Sequence, residues 1–114
     1  MWRLELAANL RVLTGLLVIL GVLELIDAPL IDAWGFAVAF AVLFFVAAWL
    51  VRSGRVLVGL VLGAALALLE VVGFSGWTKE SAADWTVAVA VLIASVGVLV
   101  LVARHFVLRR STTA

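Results

Sequence analysis

Four apolar runs, Val12 to Ile26, Ala33 to Val51, Val56 to Val72 and Trp85 to Ala103, take up most of this 114-residue chain and decide what it can become. The second and fourth hold 19 residues each. A helix rises about 1.5 Å per residue, so such a run nearly matches a hydrocarbon core of about 30 Å. A soluble fold would have to hide all four runs. With 68% of its residues hydrophobic and only 13% charged, the chain lacks the polar surface to cover them, because small domains bury only about 60% of their chain surface. Lipid as the solvent removes that conflict. Strands are not a serious rival, since apolar and polar residues do not alternate and a closed barrel needs about eight strands.

The expected fold is therefore all-α: an integral membrane four-helix bundle forming one transmembrane domain over residues 1–114, with helices at about 10–27, 33–51, 56–73 and 85–104. The first run is the shortest, at 15 residues, and contains Glu24. It spans a membrane only if Arg11 snorkels and the helix continues through Asp27. A cleaved signal peptide is the main rival for this run, but the stretch before it is long, and Asp27 and Asp32 crowd the cleavage region. The connections are short and carry the turn residues Pro29, Gly54, Gly73 and Gly76, which places consecutive helices side by side and antiparallel, as two tandem hairpins.

Charge sets the expected direction. With the N-terminus inside, Arg3, Arg11, Arg52, Arg55, Arg104, Arg109 and Arg110 fall on the cytoplasmic side, and only Lys79 lies outside. Both termini are then cytoplasmic, in a cell (inner) membrane, by the positive-inside rule. Glu24, Asp27, Asp32, Glu70, Glu80 and Asp84 gather at the outer side. Trp34, Trp77 and Trp85 fall near the outer interface and Trp2 and Trp49 near the inner one, where amphipathic rings accumulate.

An internal repeat reinforces the hairpin division. Residues 11–16 read Arg-Val-Leu-Thr-Gly-Leu and residues 55–60 read Arg-Val-Leu-Val-Gly-Leu, each opening an odd-numbered helix from the same side. Trp34 with 37–39 matches Trp85 with 88–90 at the same spacing. Two-span units repeat in the same direction, about an axis along the membrane normal.

Two patterns carry the candidate sites. Gly59 and Gly63 form a GxxxG motif continued by Ala67, a small-residue seam that lets helix backbones approach closely. Contact within the monomer is the favoured use, ahead of self-association. Ala33, Ala37 and Ala41, and Thr86, Ala90, Ala94 and Gly97, are the matching seams expected on the even helices. Glu24 and Glu70 are the second pattern. At 100° per residue Glu70 lies within about 20° of Gly59 and Gly63, and Glu24 shares a stripe with Thr14, Gly21 and Ala28. Both acids aim inward, about 20 Å above the inner boundary. One reading is a shared acidic vestibule that binds a cation or proton. The plainer alternative, favoured by their depth, has both carboxyls reaching the outer interface and hydrated, or protonated and hydrogen-bonded.

Other chemistry is poorly supported. The chain has no cysteine and one histidine, His105, at the end of the fourth run, where an interfacial role is expected. No phosphate loop, HExxH or GxSxG motif occurs, and no histidine stands near Ser53, Ser75 or Ser81 to activate them. Ser95 is expected to be equally inert. No catalysis, cofactor, metal site or nucleic-acid partner is expected; the partners are the bilayer and other membrane helices. The function expected from sequence is a small accessory or scaffold protein acting through helix contacts. The alternative is a homo-oligomeric transporter or channel for a cation or proton using Glu24 and Glu70.

Overall fold

The computed structural model describes residues 2–30, 34–76, 79 and 81–113, with side chains for 4–29, 34–76, 79 and 81–110. Asp32, Ala33, Trp77 and Glu80, and the side chains of Trp2 and Arg3, lie outside the described residues. Four helices make up the chain: α1 (Trp2–Asp27), α2 (Trp34–Arg52), α3 (Val56–Gly73) and α4 (Ala82–Thr113), with a 3₁₀ turn at Ala28–Leu30 after α1. No strand occurs among the described residues. All four helices are long and apolar enough to cross a membrane.

Three boundaries differ from the sequence expectation by more than one residue, all by extension. The helix expected from residue 10 begins at Trp2, because residues 2–10 contain no glycine or proline and are rich in Leu and Ala, which favour helix. The first helix is thus not the short one: its apolar stretch, Leu4–Asp27, holds 24 residues. Similarly, α4 continues from the expected end at 104 to Thr113, giving 32 residues. Charged residues ended the apolar runs there without ending the helix. At its other end α4 starts earlier than Trp85, because the Ser81 hydroxyl accepts a hydrogen bond from the Asp84 amide at 3.1 Å and caps the first turn.

Each helix packs against two neighbours: α1 against α2 and α4, and α3 against the same two. At Arg52–Arg55 the chain reverses in a tight turn whose Gly54 has φ +100°, a left-handed conformation that other residues adopt at a cost. The Ser53 amide donates to the Trp49 carbonyl at 2.8 Å, closing the end of α2.

The centre is filled by Leu13, Leu17 and Leu20 of α1, Ala41, Phe44 and Ala47 of α2, Leu60 and Ala67 of α3, and Val98 of α4, all essentially inaccessible. The outside is apolar too: Ile19, Val42, Leu57, Val61, Leu68, Ile93 and Val100 stand exposed. A surface of this kind is unfavourable in water and matched to hydrocarbon.

The small-residue seam of α3 lies inside the bundle. A Cβ on Gly59 would come within 2.9 Å of the Ala47 carbonyl oxygen and 2.8 Å of the Val51 amide nitrogen, so α2 and α3 meet there backbone to backbone. A Cβ on Gly63 would meet Leu17 of α1 at 3.0 Å, and Ala67 is fully buried. Ala37 and Ala41 on α2 and Ala94 on α4 are buried likewise, Gly97 and Ala90 are half-buried, and Thr86 is exposed.

Candidate functional site

Helical periodicity carries both glutamates to the bundle interior at one end. On α1, Asn9, Leu13, Leu17, Leu20 and Glu24 follow one another at spacings of three or four, and all are buried. Glu24 is only 6% exposed. On α3 the stripe of Gly59, Gly63 and Ala67 leads directly to Glu70, which is half-buried. The two carboxyl groups, one from α1 and one from α3, lie close enough to interact.

Both glutamates line a single cavity of about 350 Å³ at this acidic end. All four helices contribute to it: Asp27 from α1, Phe36 and Phe40 from α2, Leu69 and Val72 from α3, and Asp84, Ala88 and Val91 from α4, with Phe74 and Lys79 from the α3–α4 connection. Toward the other end the fully buried Leu13, Leu17, Phe44 and Leu60 fill the bundle. The cavity is thus one-sided. A small residue helps to make the space, since Ala88 lines it where a larger side chain would fill it.

Lys79 sits at the cavity wall. Its Nζ donates to the Phe74 carbonyl and lies 4.0 Å from the centroid of the Phe74 ring and 5.3 Å from that of Trp85. The two rings meet edge to face at 6.3 Å. An ammonium over aromatic faces is held by the ring quadrupole as well as by hydrogen bonding. Asp84 is 3% exposed despite its place in the first turn of α4.

The sequence left a shared vestibule and a plain outer-interface position open for Glu24 and Glu70; in the structure both residues line one cavity. Gly59, Gly63 and Ala67 lie elsewhere, in the packed middle and arginine end of the bundle. Sequence reasoning did not select Asp27, Lys79, Asp84 or the three phenylalanines as parts of one site. For α4 a signal was present, because residues 84, 88, 91, 95, 98, 102 and 105 keep a strict alternation of four and three, and this stripe forms its inner face.

The same stripe corrects one expectation and carries a second buried polar residue. His105 is not an interfacial end residue: α4 continues past it, and it is 7% exposed. Ser95 is fully buried in mid-helix. Near His105, Asn9 Nδ2 donates to the Leu101 carbonyl at 3.0 Å, tying α1 to α4. Asn9 Oδ1, Ser95 Oγ and His105 Nδ1 are buried with no hydrogen-bond partner. No group of three or more His, Cys, Asp or Glu placed to hold a metal ion occurs among the described residues. The chain matches no protein-family model, no curated protein and no solved structure.

Proposed function

We propose that the chain is an integral membrane protein that exchanges a cation for a proton at the Glu24–Glu70 pair. One observation carries this reading: two carboxyls, one from α1 and one from α3, line a single cavity. A proton held between them can be displaced by an entering cation, so the net charge of the pocket is the same with either occupant. Carboxyls at membrane depth are expensive and mark ion or proton pathways. Four helices crossing the bilayer with both termini in the cytoplasm fit the apolar exterior, the arginine-rich end and the tryptophans near both ends. The acidic cavity then faces outward.

The alternative role as a scaffold draws less support from the geometry. Its natural contact surface, the small-residue stripe of α3, is occupied within the bundle by α1 and α2. Repeated hairpins meeting at a site built from both are also the architecture in which one half can rock against the other, which exchange requires.

The test is cation-driven proton movement in liposomes containing the purified protein. Wild-type protein is expected to move protons against an imposed cation gradient, and Glu24→Gln or Glu70→Gln to abolish this. Wild-type flux equal to that of empty liposomes would remove the proposal.

A further inference from the structure

We infer that the cation taken by the acidic-end pocket is a lipophilic organic ammonium, one carrying an apolar or aromatic body, and that it reaches the carboxyls from the apolar belt beside α2 and α3. This rests on the exchange reading above and goes beyond it by naming the ligand's class.

The wall of the cavity is the first reason. Phe36, Phe40 and Phe74 stand around the carboxyl pair. A bare calcium or magnesium ion takes six or more oxygen ligands and gains nothing from the aromatic part of this lining. An organic ammonium uses all of them, with apolar contact for its body, ring faces for its charge and a carboxylate as counter-ion. The volume of about 350 Å³ lies within the range of about 300–1,000 Å³ usual for small-molecule pockets.

Lys79 is the second reason. The chain's own alkylammonium already sits in this lining, 4.0 Å from one ring centroid and 5.3 Å from another. The pocket therefore holds, from one of its own side chains, the kind of group assigned here to the ligand.

The rim is the third. Phe36, Leu69 and Val72 line the cavity yet are 64%, 57% and 68% exposed, so they also face outward, where hydrocarbon would lie. Helices α2 and α3 touch through backbone atoms at Gly59 but border the cavity at their other ends. A side opening with an apolar rim admits a molecule that partitions into lipid and rejects a strongly hydrated ion. On binding, the ammonium pairs with the carboxylate, and the proton shared by Glu24 and Glu70 leaves to water.

Calorimetric titration of the full-length protein in uncharged detergent micelles tests this. The probes are benzyltrimethylammonium, the less lipophilic choline, sodium, and neopentylbenzene as a neutral isostere. Benzyltrimethylammonium is expected to bind about tenfold more tightly than choline, the ratio contributed by a ring and its cation–aromatic contacts, and to release a proton, read from buffers of different ionisation enthalpy. Glu24→Gln with Glu70→Gln should abolish the binding, and Phe40→Leu should weaken it while leaving proton release per bound cation intact. Neopentylbenzene should behave identically with wild type and the double variant. Choline or sodium binding as tightly as benzyltrimethylammonium, or benzyltrimethylammonium binding unchanged in the double variant, overturns the inference. If benzyltrimethylammonium does not bind while liposome exchange still depends on Glu24, the ligand class falls and the exchange reading stands. If flux also equals that of empty liposomes, both fall.

Discussion

The two ends of the bundle are built on opposite plans. At the arginine end α2 and α3 meet backbone to backbone at Gly59, the interior is filled, and Arg11, Arg52, Arg55, Arg104, Arg109 and Arg110 all stand exposed. At the acidic end the four helices stand around a cavity, and the carboxyls point into it. Charge placed outside asks nothing of the packing beneath it. Charge placed inside needs a partner, and here the neighbouring group is a second carboxyl. The comparison teaches that the closed end is what permits the open one: helices pinned at one end can stand apart at the other without the bundle coming undone.

The largest test of this contrast is at the carboxyls. Glu24→Gln should eliminate cation–proton exchange in liposomes while leaving the helical content, measured by circular dichroism, at the wild-type level. Loss of helix in that variant would mean that the pair holds the fold together and that the ends do not divide the work. Next comes Gly59→Ala at the arginine end. Its Cβ would strike backbone atoms of α2, which cannot turn aside, so a loss of about 1–3 kcal/mol is expected, read from denaturant titration in micelles. Ser81→Ala removes the cap of α4 beside the cavity and should cost about 1 kcal/mol. Gly15→Ala should be the mildest, neutral or stabilising by up to about 1 kcal/mol, since nothing lies within 4 Å of the added carbon. A large effect there would show that the face of α1 is covered by something else in the membrane.

Gly15 and Gly59 also mark how far the internal repeat reaches. They occupy the same place in the two Arg-Val-Leu segments, yet Gly59 is packed against α2 and Gly15 is open. Aligning Arg11 with Arg55 sets Glu24 opposite Leu68, two positions from Glu70. The glutamates meet through the three-dimensional closure of the bundle and not through repeat symmetry.

The four helices were legible in the sequence because length and hydropathy are properties of a segment by itself. So was the inward aim of Glu24 and Glu70, which follows from the period of the helix alone. The true ends of α1 and α4 were not. An apolar run measures solubility in hydrocarbon, whereas a helix ends where its hydrogen bonding ends, and neither Arg3 nor Arg104 interrupts that bonding. Whether the two carboxyls would meet depended on how far apart α1 and α3 stand, which is fixed by side chains on all four helices. The places of Lys79 and Phe74 depended on the course of a connection with no periodicity to read. Asn9 and His105 were passed over because each looked like a boundary residue of a run, although spacing along α1 and α4 set both on the inner stripe.

The length of α4 has a mechanical consequence. At 32 residues it measures about 48 Å, close to the longest dimension of the protein, 49 Å, and well beyond a hydrocarbon layer of about 30 Å. Together with the first turns of α1, to which Asn9 fastens it, α4 rises past the Arg52–Arg55 turn as a two-helix stalk. A stalk of this kind is a lever arm. Any tilt of α4 at the cavity reappears, enlarged, at Arg109 and Arg110, so a spectroscopic label on either arginine position would report an event at Glu24 from the far end of the bundle.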